Sequence, residues 1–250
     1  ISFKTTYTGK WDYAKNTQRD PKYPLGLAGM CISPEDSNAT LKIAMRNNDS
    51  ISFDFSTIRL LGYCDSNWIF PTLLYNDTIL VNGVFDSLTY SYTFEVDQHI
   101  DSFMLVFNSI ADTLWENFYL RGFVLDNHFS GLSYVDIGVN GASVPSYLRC
   151  EFLENDLKFI QPDLCIFSIG INDASGVDFD TAIFIDNYKQ LITKIRTVVP
   201  NCQVLFTTNN DSYRRVSRRY QNNTNGLLAQ QAFYSLATYY NTAVFDWFAY

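Results

Sequence analysis

Asp163-Leu-Cys-Ile-Phe-Ser-Ile-Gly-Ile-Asn-Asp173 is the stretch of sequence that decides the fold of this chain. Its apolar run, Leu164–Phe167, is typical of a strand that is buried on both faces of a parallel sheet. The run leads into Gly170–Asp173, a turn that carries a side-chain amide and a carboxylate. Ligands of open α/β sheets bind at the carboxyl ends of the strands, so this turn is a candidate site. Turns of the form Gly-x-Asn-Asp also occur at positions without any function. The residues around this turn must therefore decide whether it is a functional site.

Strand-like and helix-like patterns alternate from about residue 127 onward. A predicted strand, Leu132–Ile137, leads into a second Gly-rich turn, Gly138–Ser143. Apolar residues at spacings of three and four predict an amphipathic helix over Phe184–Val198, which ends before Pro200. Further predicted elements are a helix over 145–160, a strand at Val204–Phe206, a helix over Leu228–Tyr239 and a strand at Ala243–Phe245. This alternation predicts a parallel, doubly wound sheet.

Residues 1–126 show the pattern of a β-rich domain. Leu88–Val96 alternates strictly between apolar and polar residues, and turn-forming dipeptides such as Asn82-Gly83 separate the apolar runs. Several short strands at regular spacing suggest an antiparallel, jelly-roll-like β-sandwich. Core packing is the default role of its many aromatic residues, and a sugar-stacking platform is the alternative. We therefore predict two domains, a sandwich over 1–126 and an α/β domain over 127–250.

The overall composition excludes several classes of protein. The 250 residues are 47% hydrophobic and 18% charged, which argues against disorder. A formal net charge of −8 argues against nucleic acid as the main partner. No apolar run reaches the roughly 18 residues that a membrane span needs. The five cysteines show no metal-binding or redox spacing, so we predict no metal and no cofactor, and we interpret Cys165 and Cys202 as inert buried thiols.

The two Gly-rich turns follow consecutive predicted strands. A right-handed βαβ connection brings both turns to the same edge of the sheet. A glycine that lets a backbone N–H approach a ligand, together with an asparagine side-chain N–H, would form a pair of oxyanion donors. The alternative is purely structural: Gly141 permits a tight turn, and Asn172 and Asp173 cap the other turn. The residues alone leave both interpretations open.

Tyr134–Ser143 followed by Gln161–Asp173 resembles the second and third sequence blocks of the SGNH, or GDSL-type, hydrolases. The resemblance implies a flavodoxin-like sheet in which the Gly141 backbone N–H and the Asn172 side chain are oxyanion-hole donors and Asp173 shapes the turn. It also implies a serine esterase that removes O-acetyl groups from carbohydrate or peptidoglycan without a metal or other cofactor. A bacterial protein of the periplasm or cell surface is the expected setting.

The nucleophile and base blocks of that family are absent from these residues. None of the six Asp-Ser pairs follows a glycine, and neither His99 nor His128 lies three positions after an aspartate. We expect the Ser block before residue 1, the His block after residue 250 and the sandwich as an insertion between the first two blocks. The 250 residues alone are then predicted to be inactive. The alternative is a non-catalytic carbohydrate- or surface-binding protein on the same scaffold.

An arginine-rich run, Ser212–Tyr220, follows the predicted strand at Val204–Phe206 and begins at the same sheet edge as the candidate site. Arg214 and Arg215 are the candidates here for binding an anionic polymer substrate, because guanidinium groups recognise carboxylates and phosphates. A solvated helix face is the alternative interpretation of such a run of charge.

Overall fold

The computed structural model describes residues 2–46, 52–66, 68–110, 115–216 and 218–249, without the side chains of residues 214–216. Within these residues the fold is mixed α/β and most of its strands are antiparallel. The chain groups into two compact units. The first unit comprises residues 1–15 and 20–137, and the second comprises residues 16–19 and 138–250.

Eleven described strands of the first unit form two antiparallel sheets. The five-stranded sheet has the order β1 (Phe3–Thr8), β4 (Thr40–Met45), β10 (Ser102–Ser109), β6 (Ile69–Tyr75) and β7 (Ile79–Asn82). The six-stranded sheet has the order β2 (Trp11–Lys15), β3 (Met30–Pro34), β11 (Phe118–Asp126), β5 (Phe55–Cys64), β9 (Ser91–Ile100) and β8 (Val84–Asp86).

One apolar core lies between these two sheets, and it explains the alternating sequence pattern. Buried residues of both sheets form a single cluster, in which the rings of Phe55 and Phe103 meet edge to face at 5.8 Å. Trp11 packs in the same way on Phe107, with 5.6 Å between the ring centroids. Strand β9 begins at Ser91 rather than at the predicted Leu88, because Tyr90 has a φ of +52° that no strand can contain.

The second unit contains a parallel sheet and four helices. Strands β12 (Leu164–Phe167), β13 (Gln203–Thr207) and β16 (Ala243–Phe245) pair in that order, and both pairings are parallel, as predicted. The helices are α1 (Val144–Leu148), α2 (Leu153–Ile160), α3 (Thr181–Val198) and α4 (Asn225–Tyr240). A two-stranded antiparallel hairpin, β14 (Tyr213–Val216) and β15 (Arg219–Asn222), lies between β13 and α4 in the chain.

Aromatic rings join the sheet of the second unit to α3 and α4. Tyr188 of α3 and Phe233 of α4 meet at 5.4 Å, and each also contacts Phe206 of β13. Tyr188 is completely buried, and its hydroxyl donates a hydrogen bond to the carbonyl oxygen of Ile169. This core therefore fixes the backbone that leads directly into the Gly170–Asp173 turn.

Two sequence predictions about the predicted α/β domain, residues 127–250, are wrong. Leu164 and Ile166 of β12 are 49% and 50% exposed, so β12 is not buried on both faces. Side chains alternate along a strand, and only the alternate face packs on the aromatic core through Phe167. Residues 132–137 form no strand, and Leu132 and Tyr134 are 97% and 78% exposed, because a strand requires a hydrogen-bonded neighbour to persist.

The predicted helix over 145–160 is divided into α1 and α2 in the structure. No helix within the described ranges is both long and apolar enough to span a membrane.

Candidate functional site

The two Gly-rich turns meet through hydrogen bonds from both sides. The backbone N–H of Val144 donates to both carboxylate oxygens of Asp173, at 3.2 Å each. In the opposite direction, Nδ2 of Asn172 donates to the carbonyl oxygen of Ala142 at 2.8 Å. The turns after the two predicted strands are thus held side by side, with Gly141, Asn172 and Asp173 in one locality.

Gly141 occupies a backbone conformation that favours glycine. Its φ is +84°, and the turn around it closes with a 2.9 Å bond from the Ala142 N–H to the Val139 carbonyl. An L-residue carries a steric penalty at such an angle, which glycine avoids. A side chain at this position would meet only the methyl group of Thr17, at 3.7 Å. The backbone here is left accessible for a ligand to approach.

Gly170 is required both by its backbone angle and by its packing. Its φ is +136°, and an added Cβ would lie 3.1 Å from the ring of Phe184 and 3.2 Å from the Asn209 side-chain oxygen. The turn that presents Asn172 therefore starts from a buried glycine pressed against the aromatic core.

The Asn172 amide has donor capacity beyond the bond that orients it. A side-chain amide carries two N–H donors, and the contact with Ala142 uses one of them. Asn172 is exposed, and the hydroxyl of Ser175 donates to its backbone carbonyl at 2.7 Å. The second N–H is a donor held in a fixed direction beside the Gly141 turn, which is the geometry an oxyanion donor needs.

Burial raises the pKa of Asp173 to about 6, and the backbone N–H of Val144 opposes that shift. The charged form is disfavoured because burial removes water from the carboxylate, and its backbone hydrogen bonds offset this loss only in part. Asp173 is thus a link between the two turns whose strength as an acceptor changes with pH.

Substituting Asp173 by asparagine is expected to remove a pH dependence of stability. Because the folded-state pKa lies above the ordinary 3.8, the native state binds the proton more tightly than the unfolded chain. The wild-type free energy of unfolding is therefore expected to fall as pH rises from 4 to about 6, by at most about 3 kcal/mol. Urea denaturation at pH 4, 5, 6 and 7 measures this slope.

The variant retains a side-chain oxygen that can accept from Val144 and should show a flatter profile. Asp178→Asn, an exposed carboxylate of the same segment, is the matched control. Parallel profiles for the wild type and Asp173→Asn would contradict the assignment.

Two asparagines that the sequence analysis did not single out hold the Asn172 turn from outside. Nδ2 of Asn223 donates to the Ala174 carbonyl at 3.0 Å, and Nδ2 of Asn225 donates to the same oxygen at 3.1 Å. Asn225 also donates to the carbonyl of Gly176 at 2.8 Å. Asparagine is common near helix starts, so a cluster at the start of α4 is typical of a cap, but the sequence gives no sign that the bonds reach back 49 to 51 positions.

A short segment far upstream also belongs to this unit. Nη2 of Arg149 donates to the backbone carbonyl of Asn16 at 2.7 Å, and Asn16 is completely buried. Thr17 lies against Gly141. Both residues lie within the sandwich predicted over 1–126, because nothing in four polar residues indicates a partner more than 120 positions away.

The arginine run is a β-hairpin and not a helix. Arg214 and Arg215 lie in β14, paired with Gln221 and Tyr220, and their side chains are outside the described part of the structure. Their predicted role in binding substrate therefore stays a prediction.

Among the described residues, histidine and cysteine side chains form no further candidate catalytic or metal site. His99 lies 3.3 Å from the carboxylate of Asp54, and Nε2 of His128 lies 2.7 Å from the hydroxyl of Thr57, all within the first unit. Cys165 is partly and Cys202 fully buried, with their sulfur atoms 3.4 Å apart. In the described ranges, no group of histidine, cysteine, aspartate and glutamate side chains is arranged to hold a metal ion.

Comparison with solved structures shows a likeness in fold. A peptidoglycan O-acetylesterase structure superposes with a TM-score of 0.73 at 16% identity, over 97% of this chain and 64% of that one. This chain therefore spans less than two thirds of that protein. A family two carbohydrate esterase from Cellvibrio japonicus matches over 98% of this chain and 88% of its own at 10% identity, but with a TM-score of 0.32 that supports no argument.

Sequence comparison gives the family. No curated protein sequence matches this chain. The profile of the GDSL-like lipase/acylhydrolase family matches residues 86–250, well over half of the chain, and this range contains both Gly-rich turns. The resemblance noted for Tyr134–Ser143 and Gln161–Asp173 is thereby confirmed. The chain belongs to the GDSL-like lipase/acylhydrolase family.

Proposed function

We propose that this chain supplies the oxyanion-hole half of a serine esterase that removes O-acyl groups, most simply acetyl, from carbohydrate or peptidoglycan. The observation that carries the proposal is the pair of cross-bonds between the two turns, Asn172 to Ala142 and Val144 to Asp173. These bonds join the turn that contains Gly141 to the turn that contains Asn172, which supports joint action of a backbone N–H and a side-chain N–H on a developing oxyanion.

The reaction would be acyl transfer. A serine activated by histidine attacks the ester carbonyl, and the negative charge that develops on the carbonyl oxygen is held by the N–H groups of Gly141 and Asn172. Collapse of the intermediate releases the sugar hydroxyl, which takes the proton held by the histidine. Water then attacks the acyl-enzyme by the same route and releases the free acid. Asp173 keeps the two donors in register through Val144.

The serine and the histidine would come from polypeptide outside residues 1–250. The half-exposed apolar side chains of Leu164 and Ile166 support this, since a complete sheet of this kind is covered on both faces. In this arrangement residues 127–250 are an SGNH-type hydrolase domain lacking its first and last parts, and residues 1–126 are an inserted β-sandwich module. Peptidoglycan or another polysaccharide as substrate would place the protein in a bacterial periplasm or at the cell surface.

A serine-reactive probe tests whether the nucleophilic serine lies outside residues 1–250. The 250-residue chain is expected to remain unlabelled by a fluorophosphonate and to leave p-nitrophenyl acetate unhydrolysed, because it lacks an activated serine. A longer polypeptide that includes a Gly-Asp-Ser block and an Asp-x-x-His block should be labelled at the serine of the first block. Labelling of the 250-residue chain at Ser143 or Ser175 would contradict the proposal.

A longer polypeptide with both blocks that hydrolyses no ester would also contradict it. That result would favour the non-catalytic carbohydrate- or surface-binding protein.

A further inference from the structure

A cleft of about 360 Å³ opens directly beside Asn172 in the second unit. It lies between the Asn172 turn and the start of the β14–β15 hairpin, and no residue of the proposed acyl-transfer machinery other than Asn172 lines it. Its lining residues are Ile171, Asn172, Ser175, Val177, Ser212, Tyr213 and Asn223. The cleft therefore adjoins the position where an ester carbonyl would sit without being part of the oxyanion hole.

None of the described residues that line this cleft is charged. Hydroxyl, amide and apolar groups together suit a ligand that is uncharged and carries both hydroxyl groups and C–H faces. Among these described residues an anionic ligand would find no compensating cation, and burying an unpaired charge against them would be unfavourable. The chemistry of the lining thus favours a neutral sugar ring.

The hydrogen bonds among the residues that line the cleft leave one acceptor and one donor for a ligand. Ser175 donates its hydroxyl proton to the Asn172 carbonyl, so its oxygen retains lone pairs that can accept. Ser212 accepts from Nδ2 of Asn223, so its own hydroxyl proton can donate. The side-chain amide of Asn223 donates one hydrogen bond to Ala174 and one to Ser212, so it has no N–H donor left for a ligand. One acceptor and one donor are what a sugar hydroxyl pair can satisfy.

Aromatic rings are presented by the hairpin that borders the cleft. Tyr213 lines the cleft and is 70% exposed, and Tyr220 is 73% exposed. Tyr213 pairs with Asn222, so Tyr220, two positions before Asn222, lies on the same face of the hairpin. Diagonal neighbours of this kind are about 7–8 Å apart, within the reach of consecutive rings of a glycan chain.

We propose that the cleft is a saccharide subsite, in which Tyr213 stacks on the C–H face of a neutral pyranose ring while Ser175 and Ser212 bond its hydroxyl groups. The subsite would hold the sugar that carries, or adjoins, the ester group, and Tyr220 would contact the next ring along the chain. This inference rests on the proposed function for its substrate class. It assigns recognition of the sugar to Tyr213, Ser175 and Ser212.

Binding of oligosaccharides to the 250-residue chain tests this assignment without any need for turnover. Titration with chitohexaose and cellohexaose, followed by calorimetry, is expected to give saturable binding of at least one of them. Tyr213→Ala is expected to weaken that binding about tenfold, as loss of one aromatic contact implies, whereas Tyr213→Phe retains the ring and should bind like the wild type. Tyr239→Ala, which removes an exposed tyrosine of α4 outside the cleft, is the matched control.

Three outcomes would overturn the inference. The first is that neither oligosaccharide shows saturable binding, and the second is that Tyr213→Ala binds as tightly as the wild type at an unchanged melting temperature. The third is that the chain binds only an anionic polymer such as polygalacturonate and that high salt abolishes this binding. The last result would favour the arginine run instead. If the oligosaccharide result holds but the longer polypeptide hydrolyses no ester, the proposed function fails and the subsite stands. If ester hydrolysis is observed but neither oligosaccharide binds, the subsite alone fails.

Discussion

Replacing Asn172 with alanine, in a longer polypeptide that carries the Ser and His blocks, is expected to lower kcat for p-nitrophenyl acetate by about 10²–10³-fold. The lost N–H acts mainly on the charge that develops in the transition state, so kcat and kcat/KM should fall together while KM changes little. The small substrate makes this measurement independent of any sugar contact.

The same substitution also removes the bond to Ala142, which is worth about 1 kcal/mol of stability. Urea denaturation of the variant therefore accompanies the kinetics, to show that a loss of folded protein does not explain the loss of rate. Asn201→Ala is the matched control, since Asn201 is an exposed asparagine just before β13 and so lies at the opposite edge of the sheet. An Asn172→Ala variant with the kcat of the wild type would remove Asn172 from the oxyanion hole.

Gly170→Ala is expected to lower the free energy of unfolding by about 2–4 kcal/mol, through backbone strain and overpacking together. A φ of +136° is one that L side chains rarely adopt. In addition, the new methyl group would press on the rings of Phe184 and Phe233 and on the Asn209 side chain, at 3.1 to 3.3 Å. Rings at the centre of a packed core have little room to give way.

Substitutions of two other glycines distinguish the effect of backbone strain from the effect of overpacking. Gly141→Ala keeps the strain of a positive φ but meets only Thr17, at 3.7 Å, so we expect a loss of about 1–2 kcal/mol. Gly176→Ala has open space around it and should be neutral or slightly stabilising. Urea denaturation of the three variants should rank them in that order. Equal destabilisation by Gly170→Ala and Gly141→Ala would show that packing at Gly170 contributes nothing.

The meeting of the two turns agrees with the sequence prediction, although one premise of that prediction is wrong. Residues 132–137 form no strand, so no right-handed crossover connects them to β12. The family blocks, rather than a βαβ connection, therefore account for the naming of Gly141, Asn172 and Asp173. The specific bonds from Asn172 to Ala142 and from Val144 to Asp173 were not predictable, since they depend on side-chain directions that periodicity does not define.

Other sequence predictions were wrong because the burial of a segment depends on the elements that pack against it, which the segment's own sequence does not show. An apolar run such as Leu164–Phe167 has the same letters whether one or two layers cover it, and here two of its four residues are half exposed. The run at 132–137 has strand propensity but no partner strand among the described residues. The β14–β15 hairpin was missed because its charged residues hide a strand pattern of only four residues on each side.

The bond between Arg149 and Asn16 spans 133 positions of the chain, and this has a consequence for how the protein is made. At the usual rate of synthesis, about 5–20 residues per second, roughly 7 to 27 seconds separate the appearance of the two residues. During that interval the strands translated ahead of Arg149 can begin to pair, while the backbone carbonyl of Asn16 has not yet met the side chain that it will bind. The second unit can close over its own first segment only after the ribosome has delivered Arg149, which makes that closure a late event on the folding pathway.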